Sequence, residues 1–222
     1  MNYKMTQVIK RTLVAGFFIG LLTFFARPAQ ADMISIPGGV GGMPQYGSEY
    51  VGPIGAKLNG NTINGGIVCL DIFSTTYVPN SGFNVTVGTL SPLNMSQARF
   101  GNDATAISKY QEAAWLIGQM AQNPGQTGPI SFAVWRLFST VADTFGSNRN
   151  LTSENSWLSQ ASHINPQLYD FSSVKIYTPT GKDVSNQEFM SGKASPVPIP
   201  APLWLLGSAL LGIFGIRRRI MD

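Results

Sequence analysis

Few side chains in this sequence can do chemistry. There is one cysteine, Cys69, and one histidine, His163, in 222 residues. A lone Cys permits no intramolecular disulfide, and one Cys with one His excludes a zinc site of the usual Cys/His kind. Cys69 lies in Val68-Cys69-Leu70-Asp71, within an apolar run, which predicts a buried thiol with a raised pKa and little reactivity. Two other uses stay open: a disulfide to a second chain, and a nucleophile paired with His163. His163 sits in a polar stretch and reads as an exposed loop residue. Asp71, Asp103, Glu112 and Asp143 are scattered, so spacing places no carboxylate pair for acid/base work. There is no Gly-x-Ser-x-Gly elbow, His-Glu-x-x-His helix or phosphate-binding glycine loop. The glycines of 34–66 read as turn punctuation in an irregular lead-in. These residues predict no cofactor and no catalytic residue.

The elements that would carry Cys69 read as mainly β. After Asn64-Gly65-Gly66, the run Ile67 to Phe73 predicts a buried strand. Phe83 to Leu90 alternates apolar and polar residues, a second strand. Val174 to Thr178 predicts a third, with Val174, Ile176 and Thr178 on one face. Between them the period becomes helical. A helix near 104–122 opens at Asp103 or at a Ser108/Gln111 capping box, and Asn123-Pro124-Gly125 stops it. A second, near 128–143, would turn Ile130, Val134, Leu137, Phe138 and Val141 to the core. Trp115 and Trp135 read as core residues where helices meet sheet. The fold class expected is α+β: a mainly β domain, sandwich or barrel-like, with an inserted helical pair. It spans 32–178, with a polar linker at 179–195.

Both ends read as export devices. Lys4, Lys10 and Arg11 precede an apolar run from Leu13 to Phe25, and Ala29-Gln30-Ala31 supplies small residues for cleavage. Residues 1–31 thus predict a secretory signal helix and a mature start at Asp32. At the other end, 196–222 reads PVPIPAPLWLLGSALLGIFGIRRRIMD. Leu203 to Ile216 would span ~21 Å as a helix, and including Val197 to Pro202 brings it near the ~30 Å hydrocarbon core. A C-terminal transmembrane helix is expected, with Arg217, Arg218 and Arg219 on the cytoplasmic side. The formal charge of +4 comes from these ends. Between Asp32 and Ser195, eight basic residues face ten acidic ones, a net of −2. That balance gives no support for nucleic-acid binding.

The tail resembles the PEP-CTERM sorting signal of exopolysaccharide-producing Gram-negative bacteria. Pro198-Ile199-Pro200 stands where that family has Pro-Glu-Pro, followed by the apolar run and the arginines. The resemblance implies export by the Sec machinery, transient anchoring in the membrane, and recognition and cleavage by exosortase. It also implies a cell-surface or extracellular role around exopolysaccharide and biofilm, and the scattered catalytic residue types point to a protein that is not an enzyme. An adhesin, or a carbohydrate- or protein-binding module retained by a C-terminal anchor, is the alternative.

The middle of the chain resembles the thioester domains of surface adhesins. The residues are Cys69 and Asp71, then Tyr110 to Leu116, then Ala133-Val134-Trp135-Arg136-Leu137-Phe138. In that family the strand Cys bonds to a Gln four residues before the Trp and captures amines. Here that position, four before Trp135, is Ser131. The resemblance therefore implies a fold and a surface setting, and leaves Cys69 a thioester only through another glutamine, Gln111 or Gln126.

Overall fold

The computed structural model describes residues 31–39, 41–145 and 148–198. The expected signal and transmembrane helices lie outside them. Among the described residues no helix is long and apolar enough to cross a membrane.

The centre is β7, Asn80–Leu90, the longest strand, with Phe83 and Val85 buried. Its first half pairs antiparallel with β1, Asp32–Ile36, and its second half with β10, Lys175–Pro179. The sheet extends past β1 through β4 (Lys57–Leu58) and β5 (Asn61–Thr62). Past β10 it extends through β11 (Phe189–Ser191) to β6 (Val68–Cys69), and β8 (Leu93–Asn94) folds back on β7. The eight strands curl into a half-barrel. Two two-stranded ribbons stand apart: β2 (Gln45–Tyr46) with β3 (Glu49–Tyr50), and β9 (Tyr169–Asp170) with β12 (Ser195–Pro196). The architecture is α+β and mainly β.

Among the described residues three α-helices accompany the sheet, one more than the inserted pair expected there. The first, α1, spans Ala104–Gln122 and opens at Asp103, whose carboxylate accepts from the Ala106 N–H. Ser108 is spent within the helix, on Glu112. The second, α2, covers Thr127–Phe138 and buries seven successive residues, Pro129 to Trp135. A helix apolar on all sides must be enclosed on all sides, and α2 packs against both α1 and the third helix. It stops short of 143: Ser139 is extended, a 3-10 turn covers Thr140–Thr144, and Val141 is exposed. The third, α3, runs Leu151–Ser162 and is capped by the Asn150 side chain on the Ser153 N–H.

Other expectations need correction. The Ile67 to Phe73 strand shrinks to Val68–Cys69, because the chain turns at Asp71, whose carboxylate takes the Ser74 N–H. The third strand forms as β10 over Lys175–Pro179, one residue later at each end than expected, and both of its faces are covered, with Ile176, Tyr177 and Thr178 all buried. Residues 179–195 are not a linker. They contain a 3-10 turn, the wholly buried β11 and the start of β12, so among the described residues the strands run from Asp32 to Pro196.

Candidate functional site

Cys69 is held from three sides. Its strand pairs with β11, Cys69 opposite Phe189. Its carbonyl accepts the indole N–H of Trp135 at 3.0 Å, tying β6 to α2. Its thiol donates to Gln187 Oε1 at 3.4 Å. Gln187 is itself fixed: its backbone N–H goes to Thr76 Oγ1 and its Nε2 to the Asp71 carbonyl.

Beneath this pair lies a buried charged scaffold. Asp71 and Glu188 are both fully buried. Asp71 Oδ2 accepts from Arg99 Nη1 at 2.7 Å and from the Glu188 N–H at 2.9 Å. Arg99 Nη1 also reaches Ser74 Oγ, and its Nη2 donates to the carbonyls of Val184 and Asn186. Glu188 accepts from the Tyr110 hydroxyl, the Thr178 hydroxyl and the Arg99 N–H. One guanidinium thus joins the turn after β6 to the turn before β11, and the carboxylates are met by donors as burial requires. Burial pushes the Glu188 carboxyl above its usual range, against the opposing pull of its hydrogen bonds.

Above the pair opens a cleft of about 260 Å³. Its lining includes Met43, Glu49, Tyr50, Cys69, Trp135 and Gln187. Exposed aromatics stand on the same segments: Tyr50 at 43%, Phe73 at 57% and Tyr77 at 80%.

Cys69 faces this cleft as a thiol. Burial first, then the negative charge of Asp71, pushes its pKa up to about 12. It is a weak nucleophile at neutral pH, because the thiolate is the reactive form. The expectation of a buried, raised thiol holds.

The other candidates are placed elsewhere. His163 caps the C-terminus of α3, exposed, with Nδ1 against the Ser159 carbonyl at 2.6 Å; it is not a partner of Cys69. Gln126 accepts from the Ser153 hydroxyl and Gln111 lies along α1, so neither is the glutamine at Cys69. That residue is Gln187, which sequence reading left in a linker. Ser131 is buried and accepts the Gly52 N–H, a structural use. A disulfide to another chain would require a second thiol to enter the cleft, since Cys69 is only 8% exposed. Ala31 is exposed just before β1, Asp32 opens that strand, and Pro198 is exposed at the end of the described residues. Ala29, Ile199, Pro200, Arg217, Arg218 and Arg219 lie outside them. Among the described residues, no group of three or more His, Cys, Asp and Glu side chains is arranged to hold a metal ion. Compared with family models, curated proteins and solved structures, the chain has no significant match in any of the three.

Proposed function

We propose that this is an exported cell-surface or matrix protein without enzymatic activity, delivered by its N-terminal signal and sorted through its C-terminal tail by an exosortase. The observation that carries the reading is the tail itself: Pro198-Ile199-Pro200, the run Leu203 to Ile216, then Arg217 to Arg219. The limits of the fold support it. Among the described residues the first strand opens at Asp32, the residue after Ala29-Gln30-Ala31, and the last ends at Pro196. Cleavage before Asp32 and after Pro196 would therefore leave every strand among the described residues in place. The seven Cα-to-Cα steps from Pro196 to Leu203 could span at most ~25 Å if extended. The mature fold would then sit close to the membrane until it is released. A role around exopolysaccharide or biofilm follows from the resemblance of the tail.

In this reading the prolines present the cleavage site, the apolar run holds it in the bilayer, and the arginines set topology. Replacing Arg217, Arg218 and Arg219 by Glu tests it. The expected result is full-length chain accumulating in the membrane or in the wrong orientation. Normal maturation of that variant would sink the assignment.

A second reading has its own observation, the cleft beside Cys69. An open site lined by aromatic and polar side chains suits an adhesin or binding module kept at the surface by an uncleaved tail. A ligand that raises the melting temperature of the full chain, in cells where the tail stays attached, would favour it.

A further inference from the structure

We propose that the β9/β12 ribbon is a lipid-contact face, laid against the bilayer surface while the tail is attached. The inference rests on the reading of Leu203 to Ile216 as a membrane segment, and adds which side of the fold meets the lipid. The ribbon stands apart from the main sheet, and β12 is the last strand before the tail. Tyr169 pairs with Pro196, and one rung further out the Val197 N–H donates to the Leu168 carbonyl at 2.9 Å. That bond sets Leu168 and Val197 side by side, 61% and 46% exposed. Single apolar residues scattered on a surface are ordinary. Two cross-strand neighbours on the ribbon that leads into an apolar tail call for a partner. Five residues separate Val197 from Leu203, so the two positions lie at most ~22 Å apart. The polar layer of a bilayer is about 5–8 Å deep on each side. This ribbon is therefore the part of the fold that the tail holds nearest to lipid.

The ribbon is braced from behind. The Ala194 N–H donates to the Ala114 carbonyl at 3.2 Å, and Trp115 Nε1 donates to the Tyr169 hydroxyl at 3.1 Å, both tying it to α1. Ser173 Oγ donates to the Lys193 carbonyl at 3.0 Å. Leu168 and Val197 are thus carried on a fixed platform. Trp115, Trp157 and Tyr169 are half-buried beside it, with the two indole rings 6.3 Å apart. Amphipathic rings of this kind are favoured at headgroup level. Charge does not oppose the contact. Asp170, the only charged residue of the two strands, is engaged by the Ser172 N–H and hydroxyl, and Lys193 is exposed two residues before β12. The opposite end of the sheet supplies a control. There the 3-10 turn Gly181–Asp183 and Val184, 58% exposed, connect β10 to β11, whereas Lys175 and Ser191 pair at the ribbon end.

The test is fluorescence quenching of the exported, tail-bearing chain, purified from cells without an exosortase and placed in phosphatidylcholine vesicles with brominated acyl chains. In a Cys69→Ala background, the fluorophore sits at Gln167→Cys, exposed beside Leu168, or at Val184→Cys. Lipid quenching at position 167 should exceed that at 184 by roughly threefold or more, as for a face seated in the headgroup boundary. Replacing Leu168 and Val197 together by Glu should bring the 167 label down to the level of 184, with the melting temperature within ~2 °C of the parent. Replacing both by Ser, which adds no charge, should remove at least about half of the difference. Flotation of the chain with the vesicles reports the tail separately. Flotation with equal quenching at both labels, or with quenching at 167 that survives both pairs of substitutions, would overturn the proposal and leave the tail reading standing. A 167 label shielded from iodide but not quenched by lipid would overturn it too, because the cover would then be the chain itself or a second copy. A chain that does not float would overturn both.

Discussion

Replacing Arg99 by leucine should cost the fold about 3–5 kcal/mol, the usual penalty for stripping one partner from a buried ion pair. Arg99 makes four side-chain hydrogen bonds, to Asp71, Ser74, Val184 and Asn186. Its loss leaves the Asp71 carboxylate, wholly buried, with only the N–H groups of Ser74 and Glu188. Two backbone carbonyls lose their donors as well. The Arg99 side chain is 22% exposed, so water can replace part of what is lost, which favours the lower half of the range. For a domain of this size each kcal/mol moves the melting temperature by ~2–4 °C. The expected drop is therefore on the order of 10 °C in a calorimetric scan. Arg99→Lys keeps the charge but cannot span both turns, and should lose about half as much. The decisive comparison is a double-mutant cycle with Asp71→Asn. If the cost is an unpaired buried charge, removing that charge in the Arg99→Leu background should restore at least ~1 kcal/mol. Additive losses, or an Arg99→Leu melting temperature within ~2 °C of wild type, would refute the reasoning.

Other consequences follow from the same contacts. With a pKa of about 12 against an ordinary ~8.5, Cys69 at pH 8 should react with iodoacetamide on the order of 1,000 times more slowly in the native than in the unfolded chain; native labelling within about tenfold of the unfolded rate would contradict its burial. Glu188 has its folded pKa raised by burial. The stability it contributes is full below the ordinary Glu value of ~4.3 and is lost as pH rises through the raised value. Urea titrations across that window should show the decline in wild type and not in Glu188→Gln. Gly192 has φ +77°, and a Cβ there would lie 2.1 Å from the Ser173 carbonyl oxygen. Gly192→Ala should fail to fold or lose more than ~3 kcal/mol in urea denaturation, whereas Gly38→Ala, with open space around it, should cost less than ~0.5 kcal/mol.

The central strand and the first two helices were legible because their periods are clean. Phe83 and Val85 alternate with polar neighbours, and α1 carries a cap at one end and Asn-Pro-Gly at the other. What escaped was written in polar residues. The third helix buries only Glu154 and Ala161, with Trp157 and Leu158 half-buried, so its apolar stripe is thin. Its legible signal was the Asn150 cap followed by the 157, 158, 161 spacing. The β11 strand hid behind Gln187 and Glu188, because a buried carboxylate held by Tyr110, Thr178 and Arg99 reads as surface until its partners are known. The site suffered most from this. Cys69 was identified with its burial and its raised pKa, but the glutamine at its thiol comes from 118 residues further along the chain. No local spacing encodes a contact made by strand pairing across a whole domain. Ser131 breaks the adhesin motif, and its hydroxyl has a different task, holding the Gly52 N–H in the lead-in.

The measurement that bears most directly on the sorting assignment is the intact mass of the mature protein from the organism that makes it, with and without the suspected exosortase. The account predicts a chain that starts at Asp32 and has lost Leu203 to Asp222, with the C-terminal loss abolished when that enzyme is removed. A chain cut only at Asp32 and still carrying Arg217 to Arg219, or one whose C-terminus is the same with and without the enzyme, would contradict it.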